Sequence, residues 1–387
     1  MKRFFTMLLA SVLALSAAAC SAEQDKKTEK TESVVVETTS APAEKPTEKS
    51  AEAQALVDKV VQQNDFSGVV YITKNGQVLC QSATGLANKE SGKEITIDSL
   101  FCIGSVSKQF ASSSIMLLKE QGKLSVDDTL DKYFPAYEIG KEITVKNLLT
   151  MRSGIPDHTT AEQDGARTLK SLSDLEYAIS SDKTTEENRG AILEWMYRQP
   201  LNFTPDTQFE YCNTNYFLLA QIVEDVSGQT YEDFVRENIF TPLGMSHTGF
   251  IADLADSPDL AEENLSEEDS EPYLEALKCD IARGAGDIIS NAKDMDLWLT
   301  ALRENKIVSP ESFEEMTEDY SPEAGYGYGL MLNFNGGVGH SGMVASYSSF
   351  AYINLSQNYN FFAVTNDYES MFGETSSLAF RIIEETV

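Results

Sequence analysis

Strand-forming patterns lie at both ends of a long folded body, and mainly helical patterns lie between them. Near the start, FSGVVYITKNGQVLCQSATG (66–85) has two β-branched runs around Asn75–Gly76, a favoured two-residue hairpin turn. Strand patterns return at 325–366, whereas 214–228 and 292–305 are typical of helices. Because strands flank helices, the sequence predicts an α/β (α+β) fold with one sheet built from distant parts of the chain.

The N-terminal segment has the pattern of an export signal. Lys2 and Arg3 precede an apolar run over 4–19, and small residues lead to Cys20. This pattern predicts a signal peptide over residues 1–20. Cys20 resembles the lipidated cysteine of bacterial lipoproteins, which favours attachment to the extracytoplasmic face of the membrane. The alternative is a plain secretory signal with an incidental cysteine, and a secreted protein.

The following segment, residues 21–50, is rich in Glu, Lys, Thr and Ser and has no aromatic residue. It cannot bury enough apolar surface to fold, so we expect a disordered charged tether. The folded body then covers 51–387, beginning with an amphipathic helix over Ala51–Asn64. Its length predicts two lobes, namely a sheet lobe over 51–124 and 321–387 and a helical lobe over 125–320.

The chain is strongly acidic, with 61 Asp and Glu against 30 Lys and Arg and a net charge of −31. This balance argues against a nucleic-acid partner. Ten of the acidic residues lie in Ile251–Leu277, which has no Lys or Arg. We interpret that stretch as a solvated surface insertion, because it lacks the regular ligand spacing of a calcium site.

The four cysteines of the body are scattered, and none forms a C-x-x-C pair. We expect small buried apolar residues rather than a disulfide framework or a zinc site, although the sequence leaves any disulfide pairing open. The chain has three histidines and no H-E-x-x-H motif, so the sequence favours neither a metal nor another cofactor. The four cysteines are Cys80, Cys102, Cys212 and Cys279.

A serine and a lysine stand three residues apart at the predicted start of a helix, in IGSVSKQFASSSIMLL (103–118). Ser105 and Lys108 would share one helix face, and a serine nucleophile needs a nearby base. Lysine becomes such a base when burial or a cation lowers its pKa. The spacing alone decides little, because it recurs at Ser180–Lys183 and Ser290–Lys293.

Two further motifs follow in order along the chain. The first is Tyr211-x-Asn213 in FEYCNTNYF, and the second is His340-Ser341-Gly342 in GGVGHSGMVAS. The same short patterns recur outside this order at Tyr352-x-Asn354 and His247-Thr248-Gly249.

Together the three ordered motifs resemble those of the serine β-lactamase and penicillin-binding protein superfamily, which carries S-x-x-K, then Y-x-N, then K-T-G or a variant. The Y-x-N form with histidine resembles the class C β-lactamase branch, which includes D-alanyl-D-alanine carboxypeptidases, D-aminopeptidases and esterases. The resemblance covers about 51–387 and implies a β-lactamase/transpeptidase-like fold with an antiparallel sheet. A serine triad of the α/β-hydrolase type is disfavoured, because GHSGM lacks the second glycine of G-x-S-x-G.

The resemblance implies a role for each matching residue. Ser105 would attack a carbonyl carbon and form an acyl-enzyme. Lys108 and Tyr211 would share the proton transfers, with Tyr211 the favoured general base if nearby cations lower its pKa. Asn213 would bind the substrate amide and help to hold Lys108. Met151 stands where histidine is common, and we expect it to pack in the core.

The third motif would form the strand along which a substrate lies. His340, Ser341 and Gly342 would bind the substrate, and the N–H groups of Ser105 and Met343 would form the oxyanion hole. Histidine in place of lysine is mostly neutral near pH 7, which weakens binding of a substrate carboxylate and disfavours efficient β-lactam hydrolysis.

The sequence therefore predicts a membrane-tethered, cofactor-free serine hydrolase. It would act through an acyl-enzyme on a cell-envelope peptide or on a D-amino-acid amide or ester, as D-alanyl-D-alanine carboxypeptidases do. The alternatives are a β-lactamase, a small-ester esterase, or a penicillin-binding sensor or scaffold without turnover.

Overall fold

The computed structural model describes residues 48–64, 66–163, 166–169, 179–180, 182–264, 274, 277–334, 336–367 and 382. Its main sheet has six strands in the order β10-β11-β12-β13-β1-β2, and all neighbours are antiparallel. These strands are β1 (Gly68–Lys74), β2 (Gln77–Thr84), β10 (Met331–Phe334), β11 (Gly337–Val344), β12 (Tyr347–Asn354) and β13 (Tyr359–Thr365).

The two ends of the body meet between β1 and β13, where Gly68 lies opposite Thr365 and Lys74 lies opposite Tyr359. This pairing confirms the prediction of one sheet built from distant parts of the chain. The predicted hairpin turn is also confirmed, since Asn75 and Gly76 have φ angles of 53° and 76°. Positive φ at both central residues is the requirement of the tight hairpin turn that Asn-Gly favours.

The remaining described strands form three small sheets. Strand β9 lies between β5 and β8, β3 pairs with β4, and β6 pairs with β7. Their bounds are β3 (Leu86–Asn88), β4 (Lys93–Glu94), β5 (Phe101–Cys102), β6 (Thr160–Gln163), β7 (Ala166–Leu169), β8 (Gly249–Phe250) and β9 (Ile288–Ser290).

The α-helices cover both faces of the main sheet and fill the region between β5 and β10. They are α1 (Glu48–Gln63), α2 (Lys108–Glu120), α3 (Val145–Leu149), α4 (Thr185–Tyr197), α5 (Asn213–Ser227), α6 (Tyr231–Val235), α7 (Thr241–Leu243), α8 (Ile251–Leu254), α9 (Ala292–Arg303) and α10 (Pro310–Met316). A π-helical turn, Arg236–Phe240, joins α6 to α7.

Alternation along β1 divides the buried side chains between two cores. Val70 and Ile72 pack with α1 on one face, whereas Val69 and Tyr71 join the larger core on the other face. That larger core includes α2, whose Phe110 stacks on Trp298 of α9 with ring centroids 4.1 Å apart. Helix α9 packs on β1, β12 and β13, although the predicted lobe boundary places its residues in the helical lobe.

The interpretation of 251–277 as a solvated insertion is wrong for its first half. Ile251, Leu260 and Ala261 are buried, and Leu260 forms a β-bridge with Leu100. The few apolar residues therefore dock this stretch on the body, while Asp253, Asp256, Asp259 and Glu262 are exposed. Residues 265–273 and 275–276 lie outside the described residues.

Cys80, Cys102, Cys212 and Cys279 are buried free thiols, as predicted. The predicted signal peptide with Cys20, the tether up to residue 47, and residues 368–387 except Ile382 lie outside the described residues. Within the described part of the chain, every helix is too short or too polar to cross a membrane.

Candidate active site

Ser105 lies in a 3-10 turn, Gly104–Ser107, that leads directly into α2. Two glycines bring this turn into backbone contact with β11. Gly104 has a φ of +52°, and a Cβ there would lie 2.7 Å from the nitrogen of Met343. A Cβ on Gly342 would lie 2.0 Å from the carbonyl oxygen of Ile103. Only glycine fits this approach, which sets Ser105 beside the strand that carries the third motif.

Lys108, one turn after Ser105, is fully buried and makes three hydrogen bonds through its Nζ atom. The acceptors are Ser105 Oγ at 3.0 Å, Asn213 Oδ1 at 2.7 Å and the Ala285 carbonyl at 2.8 Å. Burial lowers the pKa of Lys108 to about 7, although the negative charge of Asp157 opposes the shift. A partly neutral amine at hydrogen-bond distance from the serine can act as its base.

Tyr211 presents its ring to the same ammonium group, with Lys108 Nζ 4.8 Å from the ring centroid. The ring is partly exposed, but the hydroxyl is enclosed. Burial raises the pKa of Tyr211 well above its usual range, and a hydrogen bond with Ser105 offsets only part of this. The condition for Tyr211 as the favoured base, a pKa lowered by cations, is therefore not met. Of the two side chains, Lys108 has the pKa nearer to neutral pH.

Asn213 begins α5 and is held on both sides. Its Nδ2 atom donates to Asp157 Oδ2 at 3.0 Å and to Thr159 Oγ1 at 2.9 Å, while its Oδ1 accepts from Lys108. The backbone N–H of Asn213 also donates to Asp157 Oδ2, at 3.0 Å. Asp157 thus fixes which way the amide faces.

The sequence reasoning did not single out Asp157 or the Ala285 carbonyl. Asp157 lies in SGIPDH, after α3, and only the fold brings that segment to α5. A backbone carbonyl such as that of Ala285 leaves no residue-type signal in a sequence. Met151 is fully buried, and its Sδ atom lies 3.4 Å from the Cys212 nitrogen, in agreement with the predicted packing role.

The third motif lies on β11, and its members differ in exposure. Met343 is 45% exposed and Ser341 is partly exposed, whereas His340 is fully buried. His340 lies 6.1 Å from Tyr211 between ring centroids, and its Nε2 atom is 3.0 Å from the Tyr326 hydroxyl. Burial lowers the pKa of His340 to about 3, and the charge of Lys108 adds to this effect. The imidazole is therefore neutral, as expected, but it is enclosed rather than presented to a substrate.

An open strand edge lies next to this site. Among the described residues, β11 pairs with β10 at Gly337 and Gly339. The segment Ser341–Met343 therefore lies beyond the part of β11 that pairs with β10. Such an edge can receive an extended substrate through backbone hydrogen bonds.

The repeated short motifs lie elsewhere. His247 has an exposed side chain, and its backbone N–H donates to Asp294, while Tyr352 is buried within β12. Lys293, of the third S-x-x-K match, pairs with Asp98 at 2.7 Å. Across the described residues, no group of three or more His, Cys, Asp or Glu side chains is placed to hold a metal ion.

The chain is similar to several known proteins. The β-lactamase family model matches residues 53–380. A Bacillus subtilis (strain 168) protein named penicillin-binding protein PbpX is 31% identical over 285 residues, which cover 73% of this chain and 66% of that protein. A teichoic acid D-alanine hydrolase of Staphylococcus aureus is 26% identical over 277 residues, which cover 70% of this chain and 64% of that protein. The chain thus spans about two thirds of the length of these curated relatives.

Solved structures share the fold. A D-amino acid amidase from Ochrobactrum anthropi SV3 superimposes with a TM-score of 0.70 at 24% identity, covering 87% of this chain and 98% of its own. A penicillin-binding protein from Bacillus halodurans gives a TM-score of 0.72 at 22% identity, covering 86% and 100%. With the family model matched over most of its length, the chain belongs to the β-lactamase family of serine hydrolases.

Proposed function

We propose that this protein is an exported serine hydrolase that transfers acyl groups through Ser105. Its substrate would be a cell-envelope peptide or a D-amino-acid amide or ester. The observation that carries the proposal is the position of Lys108 Nζ, buried and 3.0 Å from Ser105 Oγ. The names of a D-alanine hydrolase and a D-amino acid amidase among similar proteins support this substrate class.

The reaction would begin with proton transfer from the Ser105 hydroxyl to the neutral amine of Lys108. Ser105 Oγ would then attack the carbonyl carbon, and the N–H groups of Ser105 and Met343 would stabilise the oxyanion. The proton held by Lys108 would pass to the leaving nitrogen or oxygen, directly or through the Tyr211 hydroxyl. Water would hydrolyse the resulting acyl-enzyme.

Asn213 would serve both the enzyme and the substrate in this scheme. Its Oδ1 atom binds the Lys108 ammonium, and Asp157 and Thr159 hold its Nδ2 group. A substrate along β11 would lie between Asn213 and the strand edge, with its scissile carbonyl over Ser105. Ser341 and Gly342 would supply backbone contacts.

We also propose that Cys20 carries a lipid that anchors the protein to the extracytoplasmic face of the membrane. Radiolabelled palmitate should label the wild-type protein in cells and leave Cys20→Ala unlabelled. A mature protein that is released to the medium without label would instead identify a secreted form.

The activity is tested with purified wild type and Ser105→Ala on D-alanine amide, a D-alanyl ester, acetyl-D-alanyl-D-alanine and nitrocefin. We expect turnover of at least one D-alanyl compound, slow or absent nitrocefin hydrolysis, and loss of activity in Ser105→Ala. Equal turnover by the two proteins would refute the role of Ser105. An acyl-enzyme that persists for hours on every compound would instead favour a sensor or scaffold.

A further inference from the structure

His340 has hydrogen bonds at both ring nitrogens, and together they fix its tautomer. The Nδ1 atom faces the Ser341 carbonyl oxygen, which can only accept, so Nδ1 carries the proton. Because His340 is fully buried, the ring stays neutral and its Nε2 atom has a lone pair, to which the Tyr326 hydroxyl donates at 3.0 Å. Both polar positions of the ring are thus occupied by the protein.

Tyr326 is well placed to hold this arrangement. It is 1% exposed, and its ring lies edge-on to His340 with centroids 5.7 Å apart. Phe209 and Tyr211 pack on the same ring at 5.7 Å and 6.3 Å. Because these aromatic contacts fix the ring, the direction of its hydroxyl towards Nε2 is fixed as well.

Recognition of a substrate carboxylate requires a cation or several N–H donors that are still available. The Lys108 ammonium already binds Ser105, Asn213 and the Ala285 carbonyl. The cation Arg152, which follows the buried Met151 in the chain, pairs with Asp206 at 3.0 Å and with Glu323 at 2.7 Å. Neither of these two described cations is left to receive a carboxylate, and the neutral His340 supplies no charge.

We propose that Tyr326 is a positioning residue that keeps Nε2 of the buried His340 occupied, so that the site takes D-aminoacyl esters and amides without a free carboxylate on the leaving group. This inference rests on the proposed function of Ser105. It narrows that function, because a D-alanyl-D-alanine carboxypeptidase must accept such a carboxylate.

The tautomer can be read by NMR, since the chain has three histidines. Protein labelled with ¹⁵N-histidine should show a protonated Nδ1 for His340 and no titration between pH 5 and 8. The titratable groups that face this ring are Lys108 of α2, Tyr211 before α5 and Tyr326 before β10. Titration of the His340 ring near pH 6.5 in the wild type would overturn the proposal.

Tyr326→Phe removes the partner of Nε2 and leaves this nitrogen without a hydrogen bond, which should shift its ¹⁵N resonance. Tyr328→Phe is the matched control, since Tyr328 is equally buried but bonds Glu315 at 3.3 Å. We expect a changed His340 spectrum in Tyr326→Phe only. The same change in both variants would indicate a general packing effect and would refute the positioning role.

Specificity is measured with acetyl-D-alanyl-D-alanine and its C-terminal amide, which differ only in the carboxylate. We expect kcat/KM to favour the amide by about tenfold or more in the wild type. In Tyr326→Phe this ratio should fall at pH 5.5, because the unoccupied Nε2 can take up a proton and pair with the carboxylate, whereas in Tyr328→Phe the ratio should not change. Equal or preferred turnover of the carboxylate by the wild type would overturn the inference, and loss of turnover in Ser105→Ala would still support the proposed function.

If neither dipeptide is cleaved, acylation rates test the inference instead. Benzylpenicillin and its methyl ester also differ in one carboxylate charge, and intact-protein mass gives the rate of adduct formation with each. Faster acylation by the methyl ester supports the inference. Faster acylation by benzylpenicillin contradicts it.

Discussion

The Nζ atom of Lys108 lies 3.0 Å from the Oγ atom of Ser105, and two further acceptors from distant segments fix its position. Asn213 reaches it from the start of α5, and Ala285 reaches it from the segment before β9. Three parts of the chain that are far apart in sequence thus converge on one amine. Burial, rather than a neighbouring cation, prepares this amine to act as a base.

Acylation by wild-type protein should depend on pH through Lys108. Since only the neutral amine accepts the serine proton, and its pKa is about 7, the acylation rate should rise as pH increases through 7 and level off above 8. Lys108→Met should lower the rate by about 10²- to 10⁴-fold. Lys123→Met, in the exposed turn after α2, is the control. Acylation rates with a fluorescent penicillin test both the pH dependence and the effect of Lys108→Met. A flat pH profile would contradict the role of Lys108.

Asp157→Asn should change both the acylation rate and the dependence of that rate on pH. The Asp157 charge raises the pKa of Lys108, so its removal should move the pH–rate profile towards lower pH. Loss of the carboxylate also loosens Asn213, which should lower the maximum rate by about 10²-fold. The exposed Asp127→Asn is the matched control. An unchanged midpoint in Asp157→Asn would argue that this charge does not reach Lys108.

Gly342→Ala should separate β11 from the turn that carries Ser105. The new Cβ would lie 2.0 Å from the Ile103 carbonyl, so one of the two backbones must move. We expect acylation to fall by about 10²-fold while the fold persists. Gly190→Ala on α4 meets open space and should leave acylation unchanged. Circular dichroism with the acylation assay separates a local effect from unfolding, and normal acylation in Gly342→Ala would contradict the required close approach.

Asp287 makes stability depend on pH. Burial raises its pKa from 3.8 to about 7, so the folded state binds more protons than the unfolded state between these values. The associated stability is fully present below about pH 4 and is lost as pH rises through 7. Relative to wild type, Asp287→Asn should therefore gain stability as pH rises from 5 to 8, by up to about 3 kcal/mol. Urea unfolding of both proteins at pH 5 and at pH 8 measures this gain. If the free energies of unfolding of Asp287→Asn and wild type differ by the same amount at the two pH values, the prediction is contradicted.

Much of the fold could be predicted because local patterns agree with the tertiary structure. The Asn75–Gly76 turn, the strands at both ends and the four buried cysteines follow from residue type and periodicity. The docking of residues 251–264 on the body could not be predicted, because the apolar Leu260 and Ala261 lie in a stretch of sequence with many acidic residues.

The candidate site, like the fold, could be predicted only in part from the sequence. Ordered motifs identified the residues that meet around Ser105, but their protonation depends on burial, which a sequence does not give. Tyr211 was the conditional choice as base, whereas enclosure of its hydroxyl raises its pKa. Asp157 contacts Asn213 and Tyr326 contacts His340, and such contacts appear only in three dimensions.

Intact-protein mass after exposure to a fluorescent penicillin and to a fluorophosphonate shows whether Ser105 is the nucleophile. We expect a single adduct on the wild type, located by peptide mapping at Ser105, and no adduct on Ser105→Ala. An adduct of the same stoichiometry on both proteins would refute this role of Ser105.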